Sequence, residues 1–407
     1  MLAVAGCTSV GSSAGIGPTT LSNPTGPIVI GASLSKTGQF STDGIAFDRG
    51  YRLWAEDVNA RGGIDGRPVK LIIRDDASSP QQVVTNYQQL LGKDHVDLAF
   101  GPFSSLLTGP ASGVAARFGV ALIEGAGGAP SVFDSATNQA LRNVFDVSLP
   151  IADGMLPFVT WVHNLPASQR PQTAAYPAAQ DPFALPPVQL TQTLLQGLGV
   201  ETLSAPTFPE TPAAVKAEAD QVAQEAPQLV VLGSTAMGTV VSFMKEFERL
   251  HYRPKLFLAA AGPDQGSAFT SAVGVGNANG MLVPNGWYPR YASAESQRMV
   301  SEYVKQFGGT TDGVNADVAE AYSVGQIAAQ AIIATGGTDN AKIIAYLHSG
   351  VRLDSVQGPV VFDPLGENSA AAAFIFQWQH GSFNQVLPPG AAGTVNNITA
   401  IKPDWTP

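Results

Sequence analysis

Residues 57–69 read Asp57-Val58-Asn59-Ala60-Arg61-Gly62-Gly63-Ile64-Asp65-Gly66-Arg67-Pro68-Val69, and this stretch joins a helix pattern to a strand pattern. The pair Gly62-Gly63 ends the helix, as glycines commonly do beyond the last helical residue. The apolar run Val69–Arg74 follows as a strand. The preceding helix is indicated by large apolar residues that recur every three or four positions along one face: Phe47, Tyr51, Trp54 and Val58.

The same alternation of strand and helix extends on both sides of this stretch. Before it, residues 27–34 form a short apolar, β-branched run that predicts a buried strand. After it, Ser79-Pro80 supplies an N-cap followed by a proline at the first helical position. Two more strands are predicted at Val96–Phe100 and Val120–Ile123. Strands separated by helices of this length predict a parallel sheet with helices on both faces.

The pattern starts again after a Pro- and Gly-bearing boundary near Leu149-Pro150. This second half is expected to contain helices at roughly 186–197, 212–226 and 236–250, and its strands are predicted at Thr173–Tyr176, Leu229–Leu232 and Leu256–Ala259. Two α/β lobes account for this chain better than one sheet of more than about ten strands.

Composition excludes several classes of function. The 407 residues carry a formal net charge of -10, which argues against binding to nucleic acid. A single cysteine excludes disulfides and cysteine-based metal sites. The five histidines stand far apart, and no phosphate-binding loop of the Walker type occurs. We therefore expect neither a metal nor a cofactor.

The lone cysteine, Cys7, follows small apolar residues and resembles the lipobox of bacterial lipoproteins. Only six residues precede it, too few for a signal peptide, so the true start of that peptide is expected upstream. The alternative is a chance free cysteine in a tail. Residues 8–27 are rich in Thr, Ser, Gly, Pro and Ala and are expected to form a flexible tether. No run of 18 apolar residues follows that would span a bilayer.

The segment after the third strand, Gly101-Pro102-Phe103-Ser104-Ser105, is the strongest candidate for binding. In an open α/β sheet, ligands bind beyond the carboxyl ends of the strands. A helix that begins at Ser104 or Ser105 offers hydroxyl and backbone N–H groups to a carboxylate. The alternative is that the serines only cap the helix. An acyl hydrolase is disfavoured because no histidine falls in a segment that can be placed beside either serine.

Together these segments resemble the type I periplasmic binding proteins, in the branch of branched-chain amino acid and amide-binding components of ABC importers. The resemblance covers roughly residues 27–380 and is weakest between about 150 and 260. Its signature segments are Ser35–Gly38, Asp57–Val69, Asp75–Pro80, Gly101–Ser105, Asn279–Leu282 and Gly358–Asp363.

The resemblance implies an α/β fold of two Rossmann-like, three-layer lobes with parallel sheets, joined by a hinge of three crossings. The implied N-terminal lobe comprises residues 27–146 plus 287–352, and the C-terminal lobe comprises 147–286 plus 353–407, after a tether at 1–26. The crossings are expected near Phe145–Ser148, Pro284–Trp287 and Leu353–Gln357.

The resemblance also implies a set of ligand-binding residues. Ser105 matches the serine that holds an amino acid's carboxylate, and Ser104 is its neighbour. Ala126 offers backbone groups, whereas Gly128 stands where a threonine is expected. In the second lobe, Phe183 replaces a tyrosine, and Asp264 replaces a longer acid that pairs with the ligand's ammonium. Loss of one such hydroxyl removes a hydrogen bond to a charged group, about 1.5–3 kcal/mol.

The aromatic side chains near this pocket include Phe103 and Phe183, so an aromatic carboxylate or an amide is an alternative ligand.

The implied function is that of a monomeric, lipid-anchored receptor at the outer face of the cell membrane, extracellular or periplasmic. It captures a small carboxylate-bearing ligand, a branched-chain or other amino acid, and delivers it to an ABC permease. A ligand sensor of the same fold is the second alternative, and a serine hydrolase is the least favoured.

Overall fold

The computed structural model describes residues 26–134, 142–290, 293–394, 397–399 and 402–405. Cys7 and nearly all of the predicted tether lie outside these residues. Within the described parts of the chain, no helix combines the length and apolarity that a membrane crossing requires.

Strands and helices alternate along most of the described chain. The strands are β1 Ile28–Leu34, β2 Val69–Asp75, β3 Leu98–Phe100, β4 Leu122–Glu124, β5 Val144–Asp146, β6 Thr173–Ala175, β7 Ala178–Ala179, β8 Glu201–Ser204, β9 Thr207–Phe208, β10 Leu229–Leu232, β11 Leu256–Ala259, β12 Met281–Asn285, β13 Leu353–Ser355, β14 Gly358–Val360, β15 Phe374–Gln379 and β16 Ser382–Leu387. The α-helices are α1 Ser41–Ala60, α2 Pro80–Gly92, α3 Ser105–Arg117, α4 Pro130–Phe133, α5 Leu156–Asn164, α6 Leu185–Gly197, α7 Pro212–Glu225, α8 Met237–Arg249, α9 Gly266–Val273, α10 Val275–Ala278, α11 Ala294–Phe307, α12 Ala316–Thr335 and α13 Asn340–Leu347. Short 3-10 helices occur at Ile151–Asp153, Ala167–Gln169 and Thr311–Gly313.

The strands form two main sheets. The first has five parallel strands in the order β2-β1-β3-β4-β5. The second has seven strands in the order β16-β15-β12-β11-β10-β6-β8. The predicted two-sheet α/β fold is confirmed. The second sheet differs from the prediction in one respect, because β15 pairs antiparallel with both β12 and β16.

The local signals in the sequence account for the helix boundaries. The Ser79 hydroxyl accepts a hydrogen bond from the backbone N–H of Gln82 and caps α2, with Pro80 at its start. The apolar stripe of α1 is buried through Phe47, Tyr51 and Trp54. Burial of this stripe against α12 places α1 beside the first sheet, next to the ends of its strands.

Each sheet has its own apolar core. The first core joins β1–β5 to α1, α2, α3, α11, α12 and α13. The second sheet has a core on each face: one contains α7 and α8 side chains such as Val222 and Phe243, and the other contains α5 side chains such as Phe158. Two separately packed units therefore face each other across the cavity described below.

The packing of residues 353–362 differs from the predicted start of the second lobe at residue 353. Leu353, Val356, Val360 and Phe362 are buried in the first core, because the β13–β14 hairpin packs against α12. The chain joins the second sheet only at β15. We therefore propose that the third crossing lies between Phe362 and β15, whereas the other two follow β5 and β12.

Candidate ligand-binding site

A cavity lies between the two sheets, where strands of both sheets end. The first lobe contributes residues that follow β3, β4 and β5, together with side chains of α1 and α12. The second lobe contributes the segments after β7, β10, β11 and β12. This is the position at which ligands bind in open α/β sheets, beyond the carboxyl ends of the strands.

All of the predicted ligand residues except Ser105 line this cavity. They are Phe103, Ser104, Ala126, Gly128, Phe183 and Asp264. The tertiary structure thus brings together residues that are up to 161 positions apart in the sequence, from Phe103 to Asp264.

Ser104 and Ser105 have different surroundings. Ser105 is the first residue of α3, and its Oγ accepts a hydrogen bond from the backbone N–H of Ala129 at 3.2 Å. Ser104 is the N-cap residue and is 1% exposed, yet its Oγ has no hydrogen-bond partner. An unpaired buried hydroxyl at a helix start, on the wall of a cavity, is available to a ligand.

Phe103 is held by aromatic neighbours from α1 and the loop before it. Its ring lies 5.8 Å from that of Phe40 and 5.7 Å from that of Phe47, in edge or tilted arrangements. These contacts fix the ring at the cavity wall and contribute about 0.5–1.5 kcal/mol each beyond burial. On the opposite lobe, Phe183 is half-buried and also faces the cavity.

The glycine-rich turn after β4 is organised by Glu124. One carboxylate oxygen of Glu124 accepts hydrogen bonds from the backbone N–H groups of Ala126 and Gly127. These two N–H groups are therefore already occupied within the protein. A Cβ atom on Gly128 would lie 2.9 Å from Oδ2 of Asp146, so this position has no room for the threonine that the resemblance implied there.

Asp264 lies in the loop after β11 and is half-buried. Its carboxylate accepts hydrogen bonds from the backbone N–H of Gly262 at 2.8 Å and from Nδ2 of Asn285 at 3.0 Å. Burial raises the pKa of Asp264 to about 6.

Gln265, the residue after Asp264, connects the two lobes. Its Nε2 donates to Oδ1 of Asp43 on α1 at 2.6 Å and to Oδ2 of Asp317 on α12 at 3.0 Å. Its Oε1 accepts from Nδ2 of Asn315 at 2.9 Å. One side chain of the second lobe is thereby fixed to three residues of the first.

Two further acids complete the wall. Asp146, at the end of β5, is 1% exposed, and its Oδ1 accepts from the backbone N–H of Ser148 at 2.8 Å, while its Oδ2 has no partner. Glu320 stands one turn after Asp317 on α12 and is half-buried at the cavity.

Burial raises the pKa of every acid that lines the cavity. The pKa is raised to about 7 for Asp146 and for Asp317. It is raised well above the ordinary value for Asp43, first by burial and then by the charges of Asp317 and Asp264. The same holds for Glu320, where burial is followed by the charges of Asp317, Asp146 and Asp264. The carboxyl groups of the cavity wall therefore lose their protons at a higher pH than carboxyl groups in water do.

No sequence pattern predicts that most of these acids line a binding site. Asp43 reads as an ordinary acid in the first turn of a helix, and Asp146 as the end of a strand. Only the spacing of Asp317 and Glu320 carries a signal, because residues three apart share a helix face. Gln265 has no signal of its own. These residues meet because α1 and α12 pack side by side.

The cavity lining contains no histidine, and all five histidines belong to the described residues. Ser104 thus has no imidazole base beside it in the cavity. Among the described residues, no group of three or more His, Cys, Asp or Glu side chains is arranged to hold a metal ion.

A family model described as "Periplasmic binding protein" matches residues 27–382. This chain belongs to the periplasmic binding protein family. The extent of the match confirms the resemblance predicted from the sequence for roughly residues 27–380. Members of this family bind ligands for transport and are not enzymes.

Individual relatives of this binding protein are distant in sequence. It is 26% identical over 363 residues to an amino acid binding protein of Pseudomonas aeruginosa, covering 88% of this chain and 92% of the relative. It is 22% identical over 379 residues to a Leu/Ile/Val-binding protein homologue of Brucella suis, covering 90% of this chain and 92% of the relative.

Solved structures share the fold of this binding protein. A leucine binding protein from Thermotoga maritima superposes with a TM-score of 0.77 at 16% identity, over 88% of this chain and 97% of that one. A solute binding protein of an ABC transporter from R. palustris, in complex with benzoate, gives a TM-score of 0.75 at 16% identity, over 92% and 99%. At this level of identity, the likeness concerns the fold.

Proposed function

We propose that this binding protein captures a small charged molecule in the cavity between its lobes and delivers it to the permease of an ABC importer. The observation that carries the proposal is the buried, unpaired hydroxyl of Ser104 on a cavity wall that both lobes build. A polar atom buried without a partner costs about 1–3 kcal/mol, and a bound ligand offsets that cost. Relatives named as amino acid or Leu/Ile/Val-binding proteins support a solute of this size.

An amino acid fits the two sides of the cavity in one orientation. Its carboxylate would lie at Ser104 and the start of α3, where free N–H groups and the helix dipole favour negative charge. Its ammonium would lie near Asp264, whose carboxylate is bonded only to the neutral donors Gly262 and Asn285. In this arrangement Ser105 supports the loop, and Ser104 contacts the ligand.

Delivery to an importer requires the protein to work outside the cytoplasmic membrane. We propose that Cys7 carries a lipid that holds it there as a monomer. Cys7 lies outside the described residues, so the proposal rests on the sequence around it. Mass spectrometry of protein purified from membranes tests it: a diacylglyceryl group on Cys7 supports the anchor, and an unmodified thiol contradicts it.

Solution scattering combined with a thermal-shift panel tests the binding function. The panel contains neutral, acidic and basic amino acids, aromatic acids, amides and diamines. We expect at least one compound to raise the Tm and to lower the radius of gyration as the lobes close. The variant Ala261→Trp fills the cavity wall and should abolish both effects, whereas Ala213→Trp, on the exposed surface of α7, should retain them.

Two results would contradict the binding function together. One is a panel in which no compound changes Tm or scattering. The other is native mass spectrometry in which the protein, purified without unfolding, carries no small molecule.

An aromatic acid is the alternative ligand because Phe103 and Phe183 both face the cavity. Benzoate, one of the aromatic acids of the panel, tests this alternative.

A further inference from the structure

The charged side chains that line the cavity are all acidic. Among the described residues, its lining contains the carboxylates of Asp43, Asp146, Asp264, Asp317 and Glu320, and no lysine, arginine or histidine. An amino acid with a neutral side chain brings one ammonium group and one carboxylate. This cavity therefore offers more carboxyl groups than one ammonium group can pair with.

The protein itself supplies these acids with neutral partners. Asp43 and Asp317 accept from the amide of Gln265, Asp264 accepts from Asn285 and a backbone N–H, and Asp146 accepts from a backbone N–H. Among the ion pairs of the described residues, none includes an acid of the cavity. The four aspartates are hydrogen-bonded by neutral groups, so that none of them is paired with a positive charge of the protein.

Two of these acids have a buried oxygen atom that accepts no hydrogen bond, although the carboxyl group of Asp43 also interacts with that of Asp317. Oδ2 of Asp43 and Oδ2 of Asp146 are buried without a hydrogen-bond partner, in residues that are 3% and 1% exposed. Both residues line the cavity. These unpaired oxygens point to a donor that enters from the cavity, independently of the number of acids.

The unpaired oxygens belong to different parts of the cavity wall. Asp43 lies with Asp317 at Gln265, where the lobes meet. Asp146 lies at the end of β5 beside Gly128, whose Cβ position is 2.9 Å from Oδ2. The charges of Asp317 and of Asp146 each raise the pKa of Glu320. Asp43 and Asp317 thus form one acidic group of the cavity wall and Asp146 belongs to another, and Glu320 interacts with acids of both.

The cavity also has an apolar part of its wall. Phe103, Ile151, Phe183 and Pro284 line the same cavity. An aliphatic spacer buries its surface well against such side chains, at about 25 cal/mol per Å². A single metal ion fits the arrangement poorly because, among the described residues, the acids do not group as metal ligands do.

We propose that the ligand is a compact aliphatic molecule with two amino groups, one for the group formed by Asp43, Asp317 and the neighbouring Asp264, and one for Asp146. The proposal rests on the proposed binding function and specifies its substrate class. Two sources share this chemistry: an amino acid with an amine in its side chain, and a diamine. Ser104 distinguishes them, because only the amino acid carries a carboxylate to accept from its hydroxyl.

Titration calorimetry of the full chain, stripped of ligand by unfolding and refolding, tests the proposal with four compounds: L-lysine, cadaverine, L-leucine and benzoate. At pH 7.5 we expect L-lysine or cadaverine to bind at least about tenfold more tightly than L-leucine and benzoate. Because buried carboxyl groups must ionise to hold the ammonium groups, binding should release protons, visible as heats that depend on the buffer. Tighter binding of L-lysine than of cadaverine would identify the amino acid source.

Two variants locate the second amino group. Asp146→Asn and Glu320→Gln should each weaken the binding of the dication by about tenfold or more, and should reduce the number of protons released. Glu302→Gln, on the exposed face of α11, should change neither quantity. Circular dichroism and the Tm establish that each variant is folded.

The outcomes separate this proposal from the binding function. If L-leucine or benzoate binds more tightly than both diamino compounds, or if only compounds without two amino groups bind, the dication is wrong and the binding function stands. If no compound of the wider panel binds or closes the lobes, both the binding function and the dication ligand are wrong. Unchanged dication affinity in Asp146→Asn and in Glu320→Gln would also overturn the proposal.

Discussion

Nε2 of Gln265 lies 2.6 Å from Oδ1 of Asp43, and the two residues are 222 positions apart in the sequence. The same nitrogen reaches Oδ2 of Asp317, so one neutral amide connects two carboxylates of the first lobe to the loop after β11 in the second. This contact holds the lobes together at the edge of the acidic cavity. Its loss should therefore change the balance between open and closed forms.

We expect Gln265→Ala to shift the ligand-free protein toward a more open form. A hydrogen bond to a charged group contributes about 1.5–3 kcal/mol, enough to change a two-state population by about tenfold or more. Small-angle scattering should show a larger radius of gyration than in the wild type. Gln221→Ala, on the exposed face of α7, is the matched control. Identical profiles for Gln265→Ala and the wild type would show that this contact does not hold the lobes.

Substitutions of the two serines at the start of α3 should have different effects on ligand affinity and on the free energy of unfolding. Ser104→Ala removes a buried hydroxyl without a partner, so the free energy of unfolding should not fall and should rise by up to about 1–3 kcal/mol. Ser105→Ala removes the longer of the two hydrogen bonds that the Ala129 N–H donates, since that N–H also reaches the Gly127 carbonyl at 2.8 Å, and should cost about 0.5–1 kcal/mol. In titrations with L-lysine, Ser104→Ala should weaken binding by about tenfold, and with cadaverine by much less. A larger loss of affinity in Ser105→Ala would reverse these roles.

Glu320 should make the ligand-free protein less stable as the pH rises. Folding raises the pKa of Glu320 by burial and by the neighbouring charge of Asp317, so the folded state keeps a proton that the unfolded chain has lost. The free energy of unfolding then falls as the pH rises from the ordinary range of a carboxyl group toward the raised pKa. Glu320→Gln does not titrate and should be more stable than the wild type at pH 7.5, by about 1 kcal/mol.

The same comparison at pH 4.5 provides the check on Glu320. There the carboxyl group is protonated in the folded wild type, so the two proteins should be nearly equal in urea or thermal unfolding. Glu302→Gln, exposed on α11, should show no such dependence on pH. A difference between Glu320→Gln and the wild type that is constant across this pH range would contradict the titration of Glu320.

The contact between α1 and α12 depends on a glycine. A Cβ atom at Gly325 would lie 2.0 Å from Cδ2 of Trp54, so Gly325→Ala forces the helices apart and should cost about 1–3 kcal/mol. Gly113, inside α3, has open space around its Cβ position. Gly113→Ala should therefore stabilise the protein by about 0.5–1 kcal/mol, because alanine favours the helix. Urea unfolding curves that move in the same direction for both variants would contradict this packing.

The fold was largely predictable because its signals are local. The stripe of Phe47, Tyr51 and Trp54 becomes the buried face of α1, and Ser79-Pro80 starts α2 as expected. The position of the β13–β14 hairpin was not predictable, because its short strands can pack on either lobe, and it packs in the first core. Only the contact with α12 decides between them.

Local patterns in the sequence were sufficient to predict the α/β class, the two lobes, the family and the loop that carries Ser104. Each of these depends on residues that are close together in the chain, where periodicity, capping and glycine turns act. The tertiary structure alone decided that Ser104 rather than Ser105 faces the cavity, and that Asp43, Asp146, Asp317 and Glu320 surround it. Helix and strand packing brings these distant acids out of water together, and burial then raises their pKa values. No local pattern in the sequence encodes that proximity.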